Sequence, residues 1–263
     1  MVNIVPLDKE RHAGKGWVRP VGYNFAAGNT LVPLSGSEFS HAVPAMPIGF
    51  VERGGHYAPV ALMGLTKEAN VFIGPTGQWL GGYVPAILRS YSFSLGRVEG
   101  REQPVVCIDE DSGLVVDETA PNAEIFFDAA GNPSPTINSI TEFLQRIEQD
   151  QTTTDLAVAA LAEARVLKPW ALTVPVGKQR ITVEGLYQVD EAALNRLDDA
   201  TFLKLRKTSG LPVAYAQLLS TGQVNVLARF NSFNSNCCNR ARRERNYLYP
   251  SEADIRIGAI DAL

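Results

Sequence analysis

The apolar positions of this chain follow two patterns, and the change falls near residue 133. Up to about residue 132 they come in short runs between turn formers. Ile48-Gly49-Phe50-Val51, Val60-Ala61-Leu62-Met63 and Val105-Val106-Cys107-Ile108 are runs of this kind. Their length and boundaries predict β-strands. Glu52-Arg53-Gly54-Gly55-His56-Tyr57 predicts a hairpin loop in which the glycines supply positive φ. Asp111-Ser112-Gly113 marks a second turn.

After Pro133-Ser134-Pro135 the period becomes helical. Ile137, Ile140, Phe143, Leu144 and Ile147 share one face between Thr136 and Gln149. Thr152-Thr153-Thr154-Asp155 offers N-caps for a second helix carrying Leu156, Ala159, Ala160, Leu161 and Ala164. Lys168-Pro169 should end it, giving an antiparallel helical hairpin. Trp170 to Val176 and Arg180 to Val189 read as two strands joined by a turn at Pro175-Val176-Gly177-Lys178. Asp190 and Asp198-Asp199 are placed to start two further helices, the second stopped by Ser209-Gly210. Leu211 to Leu227 is the last strong helical pattern. From Asn231 the chain turns polar and predicts an extended arm. The expected architecture is α+β. An antiparallel β-rich portion covers 1–132, and a mainly helical portion with one further hairpin covers 133–230 and shares its core. An extended C-terminal arm covers 231–263.

Composition adds boundaries. The chain has 263 residues, 45% hydrophobic and 20% charged, enough to bury a sizeable core. A formal net charge of −4 disfavours a nucleic-acid partner, which would want a clustered positive surface. No apolar stretch approaches the roughly 18 residues of a membrane span. Asp8-Lys9-Glu10-Arg11-His12 arrives before the apolar core of a secretion signal could form. The expectation is cytoplasmic synthesis without a cleaved N-terminal signal. Cys107, Cys237 and Cys238 are too few and too badly spaced for a disulfide framework.

Familiar chemistry is sparse. Gly74-Pro75-Thr76-Gly77 lacks the lysine and spacing of a phosphate loop and reads as a turn. His12, His41 and His56 are far apart, with no metal-ligand spacing, so neither a metal nor another cofactor is expected. Cys107 lies in an apolar strand, where a buried, inert thiol is the ordinary outcome. Asp109, Glu110 and Asp111 form a carboxylate run at a strand end, which suits either a solvated turn or acid–base work. Trp79, Tyr83 and Arg89 are the residue types that dominate binding hot spots, and arginine stacks on aromatic faces. The competing reading makes Trp79 and Tyr83 core aromatics, with Arg89 paired to an internal carboxylate. Arg240, Arg242, Arg243 and Arg245 form a basic cluster suited to an anionic partner or an inter-subunit contact.

One series of landmarks is specific in its order. Glu38-Phe39, Met46-Pro47-Ile48-Gly49-Phe50 and Ala61-Leu62-Met63-Gly64-Leu65 lead into Asn70-Val71-Phe72-Ile73-Gly74-Pro75-Thr76-Gly77-Gln78-Trp79. Gly81-Gly82-Tyr83-Val84-Pro85-Ala86 and Cys107-Ile108-Asp109-Glu110 complete it. This series resembles the SapC family of bacterial proteins, whose name links it to surface layers, over about residues 5–228. The family pattern continues past Ala86 with paired arginines and Tyr-Pro-Phe, whereas this chain has Arg89-Ser90-Tyr91-Ser92-Phe93.

The resemblance implies no particular reaction. The expectation is therefore a non-catalytic structural or interaction protein, a homo-oligomer or part of a multi-component assembly such as a surface layer or phage particle. The C-terminal arm and its arginines would make the assembly contacts. The alternative is a cytoplasmic enzyme or ligand-binding module with a pocket near Trp79, Tyr83, Arg89, Asp109 and Glu110.

Overall fold

The computed structural model describes residues 3–66, 69–98, 100, 103–176 and 179–248, with side chains in the last helix described as far as Cys237. Glycine places the first long hairpin. Gly54 and Gly55, at φ 58° and 84°, turn β4 (Ile48–Arg53) into β5 (His56–Leu62) with Arg53 opposite His56. The hairpin extends on one side to β3 (Leu31–Pro33) and on the other to a second hairpin, β10 (Leu167–Val176) and β11 (Gln179–Val189). The five-stranded antiparallel sheet runs β10-β11-β4-β5-β3. Residues 177 and 178 of the turn expected between β10 and β11 lie outside the described residues.

Two smaller antiparallel sheets form beside it. One runs β1-β7-β6, from β1 (Ile4–Pro6), β6 (Phe93–Gly96) and β7 (Val105–Asp109). The other runs β8-β2-β9, from β2 (Lys15–Trp17), β8 (Val115–Asp117) and β9 (Glu124–Ile125). Single helical turns α1 (Phe39–Ala42) and α2 (Ala86–Arg89) punctuate this half.

The helical half differs from expectation at three points. α3 (Pro135–Glu163) is one continuous helix, where a helical hairpin was expected. Ser134 caps it, accepting from the Ile137 amide at 3.3 Å, with Pro135 in the first turn. Thr152, Thr153 and Thr154 do not start a new helix. Their hydroxyls donate back to the carbonyls of Glu148, Gln149 and Asp150, a bond available inside a helix. Nor do Lys168-Pro169 terminate it. The chain leaves the helix through Arg165 at φ 55°, and Pro169 sits in β10, an edge strand where a missing N–H is tolerated. The third difference is at Asn231, which falls inside α7 (Val224–Leu248). The arm expected from there is helical as far as Leu248, and residues 249–263 lie outside the described residues. The polar run is held by its own chemistry. Asn234 Nδ2 donates to the carbonyls of Val71 (3.1 Å) and Ile73 (3.0 Å), and Ser235 Oγ donates to Asn231 O.

The aspartate caps fall where the spacing predicts. Asp190 caps α4 (Glu191–Leu194) and Asp198 caps α5 (Asp199–Lys207). Ser209, at φ 61°, separates α5 from α6 (Gly210–Ser220). α6 fastens the sheet from behind through a buried amide. Gln217 Oε1 accepts from Val189 N at 2.9 Å, and its Nε2 donates to Ile48 O at 3.3 Å. Ser220 Oγ accepts from Ile48 N.

Two apolar clusters result. The larger joins the five-stranded sheet (Ile48, Phe50, Leu62, Leu186) to helical residues such as Val158, Leu161, Ala214 and Leu227. The smaller holds Trp17, Phe93, Ile108, Phe126, Ile137 and Leu144. α3 supplies side chains to both.

Candidate functional site

Glu38 organises the site. Ser35 and Glu38 form a capping box at a short 3-10 turn, and this holds the carboxylate inward, 5% exposed. Its Oε2 accepts from Ser35 N (2.9 Å) and Ser35 Oγ (3.1 Å). Its Oε1 accepts from the Tyr83 hydroxyl (2.9 Å) and Ala86 N (2.7 Å). A buried carboxylate with four donors is satisfied as an anion. It fixes the segment from Tyr83 to α2, which carries Arg89. Burial, then the charge of Glu38, pushes the Tyr83 hydroxyl up to about 12, so at neutral pH it keeps its proton and donates.

Around this anchor three of the expected residues meet. Trp79 Nε1 donates to Tyr83 O at 2.9 Å, and its ring packs against Tyr23 and Phe72. The Arg89 guanidinium lies 5.7 Å from the Tyr83 ring centroid and 5.1 Å from that of Phe143 on α3. Its Nη2 reaches the Tyr83 hydroxyl at 3.4 Å. His41 stacks on Tyr83 at 5.5 Å and 17°. Arg89 therefore lies over two rings, and among the described residues it forms no ion pair.

This group borders a cavity of about 430 Å³ between Glu38, His41, Tyr83 and the α3 residues Phe143, Arg146 and Asp150. A second cavity, of about 460 Å³, lies on the other side of Arg89 and Phe143. A separate groove of about 470 Å³ between the β4–β5 hairpin and α3 contains none of the sequence-predicted residues.

Asp109 and Glu110 serve a different place, and neither lines these cavities. Asp109 Oδ1 accepts from Asn3 N (2.9 Å) and Asp111 N (3.2 Å). Glu110 takes a two-pronged bond from Arg11, Nε to Oε1 at 2.7 Å and Nη2 to Oε2 at 2.6 Å. Asn3 Nδ2 adds a third bond to Oε2. Buried His12 has Nε2 3.3 Å from Glu110 Oε1, without the alignment of a hydrogen bond. These carboxylates fasten the N-terminal segment to the end of β7.

The Arg11 hydrogen bond holds the Glu110 carboxyl below its usual range. A depressed folded pKa contributes stability that is full above the unfolded value of about 4.3 and is lost as pH falls through the folded value. Urea unfolding should therefore find Glu110→Gln less stable than the parent at pH 7, with the gap closing as pH falls below the unfolded value of about 4.3. An equal gap above and below that value would count against an ionic contribution.

Cys107 is buried, and burial pushes its thiol up, away from the thiolate a nucleophile needs. Arg240, Arg242, Arg243 and Arg245 fall on the α7 backbone, and their side chains lie outside the described residues. Sequence reasoning missed His41, Phe143 and Arg146 as members of the site. The Ser35-x-x-Glu38 spacing of a capping box was the one local signal for its anchor.

Fold and site together define an α+β protein with a satisfied buried carboxylate under an arginine that lies over two rings. The chain belongs to the SapC family, whose model matches residues 7–227. No curated protein and no solved structure matches it.

Proposed function

We propose that the chain is a non-catalytic interaction protein, a component of a larger assembly such as a surface layer or a phage particle, and that it enters this assembly through α7. The observation that carries this reading is the apolar stripe of α7. Val226, Phe230, Phe233 and Cys237 recur at four- and three-residue spacing; Val226 and Phe230 pack on the protein's own core, and the stripe leaves that core at Phe233, 45% exposed. Such a stripe suits helix-to-helix or helix-in-groove docking. The start of the helix is already anchored by buried Leu227, by Phe230 against Phe72 and by Asn234. On α6, Tyr215 and Leu219 stand one turn apart at 46% and 70% exposure and form a second exposed apolar pair. Arg240, Arg242, Arg243 and Arg245 would meet acidic groups of a second copy or of another component.

Light scattering after size exclusion tests this on the full chain, on a chain ending at Cys237 and on Phe233→Glu. The full chain is expected as a species larger than a monomer. Both variants should fall to monomer mass with an unchanged unfolding midpoint. A full chain that stays monomeric, and is recovered from its source only as free protein, would overturn the reading.

A further inference from the structure

The two cavities either side of Arg89 form one cleft along α3. Thr136, Ile140, Phe143, Arg146 and Asp150 line it at helical spacing, and Arg89 and Phe143 border both chambers. Three observations bear on what the cleft can hold.

First, Arg89 is a cation with unused capacity. A guanidinium carries five N–H donors. It lies over two rings, and its one hydrogen bond among the described residues is the 3.4 Å contact to Tyr83. Arg89 is exposed, and its remaining donors can pair with a carboxylate or phosphate. Second, the 460 Å³ chamber is bordered by Trp17, which is 6% exposed and whose Nε1–H is buried with no acceptor among the described residues. Buried indole donors ordinarily find a partner. Third, the chamber walls are flat and apolar, from Trp17, Tyr91, Phe93 and Phe143. The first turn of α3, at Pro135 and Thr136, borders the same chamber, but Thr136 Oγ1 already donates to Glu124 Oε2 at 2.6 Å and Ser134 caps the Ile137 amide, so this end adds no free donor.

Arg89 and Arg146 are the cations bordering the cleft that form no ion pair among the described residues, and of these Arg89 alone borders both chambers. Arg19 also borders the aromatic chamber, but it is paired to Glu124 at 2.9 Å. In the other chamber Asp150 accepts from Ser37 Oγ and faces the same space as Arg146 and His41.

We propose that this cleft binds a small organic anion with a planar apolar body. Its carboxylate or phosphate meets the remaining donors of Arg89. Its flat part lodges between Trp17, Tyr91 and Phe143. This site is independent of the α7 docking surface, so either can fail alone.

The test is an NMR titration of the full chain that follows the three tryptophan indole N–H signals, with Trp17 assigned through Trp17→Phe. Four probes are used: benzoate, phenyl phosphate, inorganic phosphate and neutral benzyl alcohol. The expected result is a saturable shift of the Trp17 signal by benzoate, phenyl phosphate or both, with Kd below about 1 mM. Their relative affinities identify the anionic group. Inorganic phosphate and benzyl alcohol should each bind at least ~10-fold more weakly, the loss of one charge-assisted contact or of the stacked body. Arg89→Gln should weaken the preferred probe by ~10-fold or more, and Arg89→Lys should recover part of it. Unmoved signals from Trp79 and Trp170 and an unchanged urea midpoint show that the variants fold. The proposal is overturned by the absence of a saturable Trp17 shift. It is overturned equally by benzyl alcohol or inorganic phosphate matching the aromatic anions, or by Arg89→Gln binding like the parent.

Discussion

Glu38→Ala should lower the unfolding free energy by about 2–5 kcal/mol, since two buried amide donors lose their acceptor at roughly 1–3 kcal/mol each. One carboxylate accepts from two backbone amides and two hydroxyls. Ser35 and Ala86 are themselves buried, so alanine leaves their N–H groups without an acceptor and without water. Glu38→Gln should recover only part of the loss, because its amide nitrogen would face a donor. Urea unfolding reads the size of the effect. A second readout separates this from simple packing loss. The charge of Glu38 is one cause, after burial, of the raised Tyr83 hydroxyl, so removing it should let Tyr83 ionise below about 12. A stability loss under about 1 kcal/mol would show that water or a neighbour replaces the carboxylate.

Phe72→Ala is expected to cost about 3–5 kcal/mol, as for a fully buried phenylalanine. The ring touches two parts of the molecule that matter for different reasons. Trp79 packs on it at 5.5 Å between centroids, and Phe230 of α7 meets it edge-on at 5.1 Å. The neighbouring carbonyls of Val71 and Ile73 hold Asn234. Beyond the global loss, hydrogen exchange should therefore quicken along Leu227–Cys237 more than along the β4–β5 hairpin. Equal loss of protection in both places would mean that α7 is not seated through this ring.

What the sequence discloses here divides by the range of the signal. The β4–β5 hairpin, the αL glycines at its turn and the aspartate caps of α4 and α5 are encoded within a few residues, and the expected elements match them. The threonine run on α3 misleads for a physical reason. A threonine hydroxyl serves equally as an N-cap acceptor or as a donor to the carbonyl four residues back, and only the backbone decides between them. Asn234 gives a similar case, since its value comes from two carbonyls more than 160 residues earlier. The three-residue strand β2 is paired with β8 and β9, about a hundred residues away, and carries too few residues for a period.

The binding group shows the same division. Trp79, Tyr83 and Arg89 come from one short stretch and meet through local bonds. Phe143 and Arg146 reach them from a helix start far along the chain. Asp109 and Glu110 drew attention as paired acids, but they are bonded to Asn3 and Arg11, which no local pattern links to them.

The unbroken course of α3 has a consequence for how the molecule comes apart. Ile137 and Leu144 belong to one apolar cluster and Val158 and Leu161 to the other, on a single hydrogen-bonded rod. Neither cluster can dissolve without fraying the helix that the other needs, and no glycine or proline offers a seam between Ile137 and Leu161. The two sides therefore melt as one cooperative unit, and damage around the small sheets is felt in the large one.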